Sequence, residues 1–424
     1  MVSGRPRVMA VTYGGGHAAA VAPVLAQLRE DLDVVALGLT TAGPVYARFG
    51  IDSQGVAAYP GPEDAHVQAL GAQLLADVAG TTSAVSAEES RAYLGSCMAD
   101  LIDTHGATEA WRRYRERGRH AFDPERTMRR IVAQEQPDLV VTTNSPKSER
   151  AAIRAARTLG IDTVMIPDMF CHPSWEMYVP FEADHFAVLS SLAVRNLAEF
   201  HGVDASRVTI TGQPAFDKQH VPARADALAY VRGQIGAAVG DGYLLVTTSP
   251  DVPDATWPAQ GSRDAELAVQ GLLARTSRET WLIIKPHPSE SREMWTTLVA
   301  GHDRVVVAPA GSDINQLLRA ADGLVAASPT TAVIDALSLD VPTVVCSVGR
   351  PALRDVLPWH DLEVPLETSP APLAALGERA GFLAHVPPAQ DAVRREFHRL
   401  NVGATGRVAD LLRERALRAR LQRA

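Results

Sequence analysis

Cysteine is scarce in this chain: Cys97, Cys171 and Cys346 are the three among 424 residues, and they stand far apart. None of them has the Cys-x-x-Cys spacing of a zinc or redox site, so inert thiols in a reducing compartment are expected. No His-Glu-x-x-His occurs. The one Asp-x-Asp, Asp31-Leu32-Asp33, leads into a strand rather than out of one, at the sheet end away from a ligand crevice. A dedicated metal site is therefore not expected. A Gly-x-Ser-x-Gly nucleophile elbow is missing too, which lowers hydrolase readings. Positive charge is in deficit, and a formal net charge of −8 argues against a general nucleic-acid binder. No segment approaches the roughly 20 apolar residues that span a bilayer. The apolar run behind Arg5 and Arg7 is broken after about seven residues, too few for a signal-peptide core. A cytoplasmic location is the expectation.

What is present is the composition of an ordinary globular protein, 46% hydrophobic and 21% charged. A chain of 424 residues exceeds one comfortable core, so two domains are expected. Short β-branched runs alternate with alanine- and arginine-rich segments, the pattern of βαβ units. Strands are predicted at Arg7–Thr12, Asp33–Leu39, Leu139–Thr143, Asp162–Ile166, His185–Val188 and Val208–Thr211. A second set follows at Tyr243–Thr247, Trp281–Lys285, Arg304–Val307, Gly323–Ala326 and Thr343–Cys346. A helix beginning near Ala18 would bury Val21, Val24, Leu25 and Leu28, with Pro23 in its first turns where a missing N–H costs least. The pattern loosens around Val221–Gly242, after the turn signal Gly212-Gln213-Pro214, and the interdomain linker is placed there. The expected domains are 1–220 and 241–388, with helices over 389–424. Residues 65–126 are helical in propensity and expected as an insertion beside the ligand cleft. The last dozen residues hold five arginines against one glutamate. A solvated helix end or a contact with an anionic membrane surface both fit that run.

Chemistry gathers at predicted strand ends. Tyr13-Gly14-Gly15-Gly16-His17 follows one strand and opens a helix, so Gly14, Gly15 and Gly16 let backbone approach a ligand. Gly14, Gly16 and Ala19 satisfy a relaxed dinucleotide spacing, but the second strand ends Leu39-Thr40 without the carboxylate that would hold a ribose. NAD binding is set aside. His17 would face the crevice, where an imidazole suits proton abstraction from a hydroxyl; packing within the turn is the alternative. In Lys285-Pro286-His287-Pro288-Ser289 the prolines keep the chain extended, fixing a cation and an imidazole. Ser328, Thr330 and Thr331 then supply hydroxyls at a helix start, fit for a phosphate or for simple capping. Asn144, Asp168 and Glu176 sit in polar loops after further strands, where acceptor contact and simple loop chemistry fit equally.

These motifs together resemble the GT-B glycosyltransferase superfamily, which includes the nucleotide-sugar 2-epimerases and the capsule and teichoic-acid enzymes that use nucleotide donors. The resemblance rests on Gly14–His17, Thr211-Gly212-Gln213-Pro214, Lys285-Pro286-His287-Pro288, and Ser328 to Leu337 leading to Asp340-Val341-Pro342-Thr343-Val344. It implies two Rossmann-like parallel-sheet domains facing across a cleft, with C-terminal helices packing back. It also implies metal-independent transfer of a sugar from a nucleotide-activated donor to an acceptor hydroxyl, with no cofactor, in polysaccharide or secondary-metabolite biosynthesis. Lys285, His287, Ser289, Ser328, Thr330 and Thr331 would hold donor phosphates, Asp335 the donor ribose, and His17 the acceptor side as base or oxygen ligand. The chain departs from the epimerases, which carry a glycine-rich acidic segment where Ser328-Pro329-Thr330-Thr331 stands. Lys-Pro-His-Pro is nearer the glycerophosphate-transferring branch, so a CMP- or CDP-linked donor stands beside a UDP-sugar. An epimerase, a CDP-alcohol phosphotransferase and a non-catalytic nucleotide-sugar binding protein remain as alternatives.

Overall fold

The computed structural model describes residues 4–61, 64–76, 85–167, 169–173, 181–235, 239, 242–249, 261–274, 280–288, 290–327, 330–348 and 359–423. The chain divides into two compact units, Met1–Asp217 with Gly403–Ala424, and Lys218–Val402. Each is an α/β unit around one parallel sheet, the class that the alternating pattern implies.

In the first unit seven strands occur among the described residues: β1 Arg7–Tyr13, β2 Asp33–Leu39, β3 Ser53–Gln54, β4 Leu139–Thr142, β5 Asp162–Met165, β6 His185–Val188 and β7 Val208–Ile210. They lie in the order β3-β2-β1-β4-β5-β6-β7. Every pairing is parallel, so helices cover both faces and the strands read as unbroken apolar runs. Successive strands first build toward β3, and the chain then returns to build from the other side of β1. The order therefore reverses between β1 and β4, where an open sheet leaves a crevice at its carboxyl end.

The helix after β1, Gly15–Leu28, buries Val21, Val24, Leu25 and Leu28 completely, as their spacing requires. It starts at Gly15 rather than near Ala18, so Pro23 lies in the helix interior, not in its first turns. Its missing N–H leaves the Ala19 carbonyl without the usual partner four residues on. The C-terminal helix, Ala404–Arg423, packs back on this face through Val408, Ala409, Leu412 and Ala416. Its arginines answer carboxylates at the amino end of the sheet. Arg413 meets Asp31 at 2.9 Å, Arg415 meets Asp162 at 2.8 Å, and Arg420 and Arg423 share Asp138 at 3.2 and 3.0 Å. Arg418 pairs with Glu414 one turn back. Of the Asp-x-Asp pair, Asp33 takes Arg7 at 2.6 Å and Asp31 takes Arg413.

Residues 65–126 hold the helices Asp64–Ala76, Ala87–His105 and Ala107–Arg117. The first two cross at glycines: a Cβ on Gly71 would lie 2.0 Å from the Arg91 carbonyl oxygen, and one on Gly95 1.9 Å from that of Val67. Backbone thus rests on backbone, and the outer core of the unit, with Leu74, Tyr93, Leu94, Met98 and Phe122, forms around that contact.

The second unit has six strands among the described residues: β8 Leu244–Thr247, β9 Leu282–Lys285, β10 Val305–Val307, β11 Gly323–Ala326, β12 Thr343–Cys346 and β13 Leu366–Glu367. Their order is β10-β9-β8-β11-β12-β13, again all parallel, with the reversal between β8 and β11. The stretch read as a linker carries a helix, Arg224–Ile235, that packs on Ile314–Ala320 and belongs to this unit. The helix Gln390–Asn401 is fastened by buried amides. Gln390 exchanges two 2.9 Å hydrogen bonds with the Thr343 backbone, and Asn401 donates to the Ser338 hydroxyl at 2.8 Å. All three cysteines are free and buried, and burial pushes the Cys97 and Cys346 thiols far above their ordinary range. Among the described residues no helix is long and apolar enough to cross a membrane.

Candidate functional site

In the first unit the candidate residues collect where β1 and β4 end side by side, Val11 being in register with Thr142. Gly14 leaves β1 with φ +89°, a conformation that only glycine adopts without strain. Its N–H donates to the Leu39 carbonyl at 3.1 Å, and the Gly15 N–H donates to Thr41 Oγ1 at 3.0 Å. A Cβ on Gly16 would meet nothing within 4 Å, so that side of the turn is open.

His17 stands in the first turn of the helix with its side chain 26% exposed. Ring Nδ1 lies 2.5 Å from the Thr143 hydroxyl. Thr143, just past β4, donates its own proton to Glu149 Oε2 at 2.6 Å. Glu149 has no exposed side-chain surface. It also accepts the Tyr13 N–H on Oε1 at 2.6 Å and the Ser145 N–H on Oε2 at 3.1 Å. It occupies the first turn of the helix Ser148–Thr158, where the helix dipole favours a carboxylate. Asn144 and Ser145 are buried beside it. Lys147 Nζ sits over the Tyr13 ring at 4.6 Å.

Asp168 and Glu176 lie outside the described residues. The chain next to Asp168 is held from three sides. Gln213 donates to the Pro167 carbonyl at 2.6 Å, Asn196 to that of Phe170 at 2.9 Å, and His201 meets that of Cys171 at 2.9 Å. Gln213 of the Gly-Gln-Pro turn therefore anchors this loop.

In the second unit the candidates share one sheet edge. Lys285 is the last residue of β9, and Thr247, the last of β8, is in register with Lys285 on one side and Ala326 of β11 on the other. Lys285 Nζ donates to the Pro286 carbonyl at 3.1 Å. Burial pushes the pKa of this lysine down, against the opposing pull of Glu290. His287 is exposed, and its N–H donates to Glu290 Oε2 at 2.7 Å. The same oxygen accepts the Thr248 hydroxyl at 2.5 Å, so Glu290 ties the Lys-Pro-His-Pro turn to the end of β8.

Thr247 and Thr248 are residues that sequence reasoning missed. Thr247 is buried, and its hydroxyl has no hydrogen-bond partner among the described residues. The signal was available: Thr247-Thr248-Ser249-Pro250 after a strand is the same kind of ending as Ser328-Pro329-Thr330-Thr331. Of the latter, Ser328 lies outside the described residues, as does Ser289. Thr330 Oγ1 accepts the Ala332 N–H at 3.4 Å, a capping contact, and Thr331 precedes the helix Ala332–Ser338 without capping it. Asp335, assigned by resemblance to the donor ribose, is held by Lys218, whose Nζ also donates to Asn315 Oδ1 at 2.6 Å. Burial raises the pKa of Asp335 and Lys218 opposes that shift.

Residues 150–327 match the family model described as CDP-glycerol:poly(glycerophosphate) glycerophosphotransferase. No curated protein matches the sequence. Among solved structures, the UDP-GlcNAc 2-epimerase of Neisseria meningitidis bound to UDP-GlcNAc superimposes with a TM-score of 0.57 at 13% identity, covering 96% of this chain and 99% of that one. CalG4, the calicheamicin glycosyltransferase, gives 0.58 at 14% identity and 98% of each chain. The glycotransferase of kitacinnamycin gives 0.56 at 14% identity, over 97% of this chain and 99% of that one. The fold of the chain is the GT-B-like one that these structures share, two parallel-sheet α/β units.

Proposed function

We propose that this protein is a transferase that moves a sugar from a nucleoside-diphosphate donor to an acceptor hydroxyl. One observation carries the reading: in each sheet polar candidates cluster at the carboxyl ends of the strands at or next to the place where strand order reverses, the ligand position of open α/β sheets. The second unit would hold the donor. Lys285, His287, Thr247 and the hydroxyls of Thr248, Thr330 and Thr331 are fit to stabilise charge growing on the leaving diphosphate, more strongly in the transition state than before it. Ser289 and Ser328 extend the same set in sequence. The first unit would activate the acceptor. Its oxygen attacks the anomeric carbon, its proton passes to His17, and the bond from that carbon to the diphosphate oxygen breaks with its electrons leaving on the nucleotide. Gly14, Gly15, Gly16 and Asn144 line the approach, and Asp335, engaged by Lys218, serves the structure of its own unit.

A second reading is favoured by the family match over residues 150–327. In it the acceptor oxygen attacks the β-phosphorus of a CDP-alcohol and CMP departs. The product decides between the two. Thermal-shift measurements with UDP, GDP, CMP, CDP and dTDP name the base, since a ligand that binds the native state stabilises it by mass action. Turnover mixtures are then assayed for the nucleotide released. A nucleoside diphosphate supports sugar transfer, CMP supports the second reading, and a new sugar formed from UDP-N-acetylglucosamine alone supports epimerisation. His287→Ala is expected to lower turnover by more than about tenfold without loss of fold, because its side chain is exposed. Unchanged turnover would remove His287 from the donor site. Binding without conversion of any donor would mark a binding protein instead.

A further inference from the structure

We propose that Thr143 and Glu149 are positioning residues that hold His17 as its Nδ1–H tautomer, leaving Nε2 as the lone pair that takes the acceptor proton. For its place in catalysis this rests on the reading of His17 as base. The tautomer itself is a property of the resting protein.

The hydroxyl of Thr143 has one proton to give, and it goes to Glu149 Oε2 at 2.6 Å. Its oxygen therefore faces His17 Nδ1, 2.5 Å away, with a lone pair. An unprotonated Nδ1 would put two lone pairs against each other at that distance. A ring N–H is the group that fits, so the proton sits on Nδ1 and Nε2 is basic.

Glu149 is set for this task from the backbone side. Its two oxygens accept Tyr13 N–H, Ser145 N–H and the Thr143 hydroxyl, so the carboxylate cannot rotate without breaking contacts to both strand ends. The direction of the Thr143 hydroxyl is thereby fixed by the same β1–β4 pairing that builds the crevice. When the acceptor oxygen gives its proton to Nε2, the ring becomes an imidazolium. Its charge is then answered by a buried carboxylate oxygen 4.0 Å from Nδ1, and no proton passes to Glu149. The proton leaves His17 for water after the nucleotide departs, which restores the starting tautomer. The logic is that of a buried carboxylate orienting a histidine base, with a threonine hydroxyl inserted between them.

The test is the nitrogen NMR spectrum of His17 in the full chain, labelled at the histidine ring, with His17→Gln used to assign the signals. The expected result in the wild type is a protonated Nδ1 and an unprotonated Nε2. Thr143→Val, which keeps the buried shape and removes the hydroxyl, is expected to shift the population toward Nε2–H. It should lower kcat by about 10- to 100-fold with KM within about twofold. Thr143→Ser should retain the wild-type spectrum. A wild-type ring protonated on Nε2, or a Thr143→Val protein with an unchanged spectrum, overturns the proposal. The expected spectra in a protein that converts no donor would sustain the relay and sink the transfer reading instead.

Discussion

Thr247 is a buried side chain whose hydroxyl has no hydrogen-bond partner among the described residues. A buried hydroxyl without a hydrogen bond costs roughly 1–3 kcal/mol, and valine has the same shape without that cost. Thr247→Val is therefore expected to raise the Tm of the ligand-free protein while weakening nucleotide affinity by about fivefold or more, one hydrogen bond being worth about 1 kcal/mol. Thermal shifts with and without the nucleotide measure both effects together. A variant that loses stability, or that binds the nucleotide as tightly as before, would place the hydroxyl outside the donor site. Glu290 shows the same economy at the neighbouring strand end. Its Oε2 collects the His287 backbone N–H and the Thr248 hydroxyl, while Oε1 is buried without a partner among the described residues. His17 was legible as a candidate because a histidine next to glycines at a strand end is a local pattern. Thr143 and Glu149 were not, since each is an ordinary residue until the fold sets it beside the ring.

At the scale of elements, the strands were the most legible part. Each predicted strand is present, usually one residue shorter at an end, because buried parallel strands need unbroken apolar runs and those are visible one by one. The two strands missed among the described residues, Ser53–Gln54 and Leu366–Glu367, are two-residue edges too short to show a period. The helices over 64–117 were legible only in propensity. Their packing depends on Gly71 and Gly95, and a glycine inside a helix looks like a weakness until its neighbour is known. Gly95→Ala tests this. Alanine gains about 1 kcal/mol in helix propensity, but its Cβ would sit 1.9 Å from the Val67 carbonyl oxygen, so overpacking wins. The expected outcome is a net loss of about 1–3 kcal/mol in denaturant unfolding; a more stable variant would show that the helix pair can separate.

At the scale of the whole chain, the last helix returns over almost the full sequence to close the first unit. Its arginines look like a basic face in sequence, and in the structure carboxylates at the amino end of the sheet take them up. The same region contains a pH sensor of stability. His185 on β6 is pushed down to about 4 from an ordinary 6.5, first by burial and then by Arg415, with Arg207 and Arg418 adding and Asp162 opposing. Its Nε2 lies 2.8 Å from Thr209 Oγ1. Between about pH 4 and 6.5 the unfolded chain binds this proton more readily than the folded one, so stability rises with pH across that window. The contribution is fully present above the unfolded value and is lost as pH falls toward 4. His185→Gln should flatten the dependence of Tm on pH in that window. An unaltered slope would assign the effect to other groups.

By itself the sequence determined the strands, the α/β class, the duplication of that design and the strand ends that carry ligand-type residues. These properties are local, written in runs and turn signals a few residues long. The tertiary structure alone decided which strand ends are neighbours, since parallel strands are joined by crossovers and their order cannot be read from their succession. That order put Thr247 beside Lys285 and Thr143 between His17 and Glu149. It also gave Asp335 to Lys218 and the terminal arginines to the sheet. Threonine hydroxyls, two lysines, one histidine, the terminal arginines and the carboxylates that meet them make these contacts, and none of the three cysteines takes part.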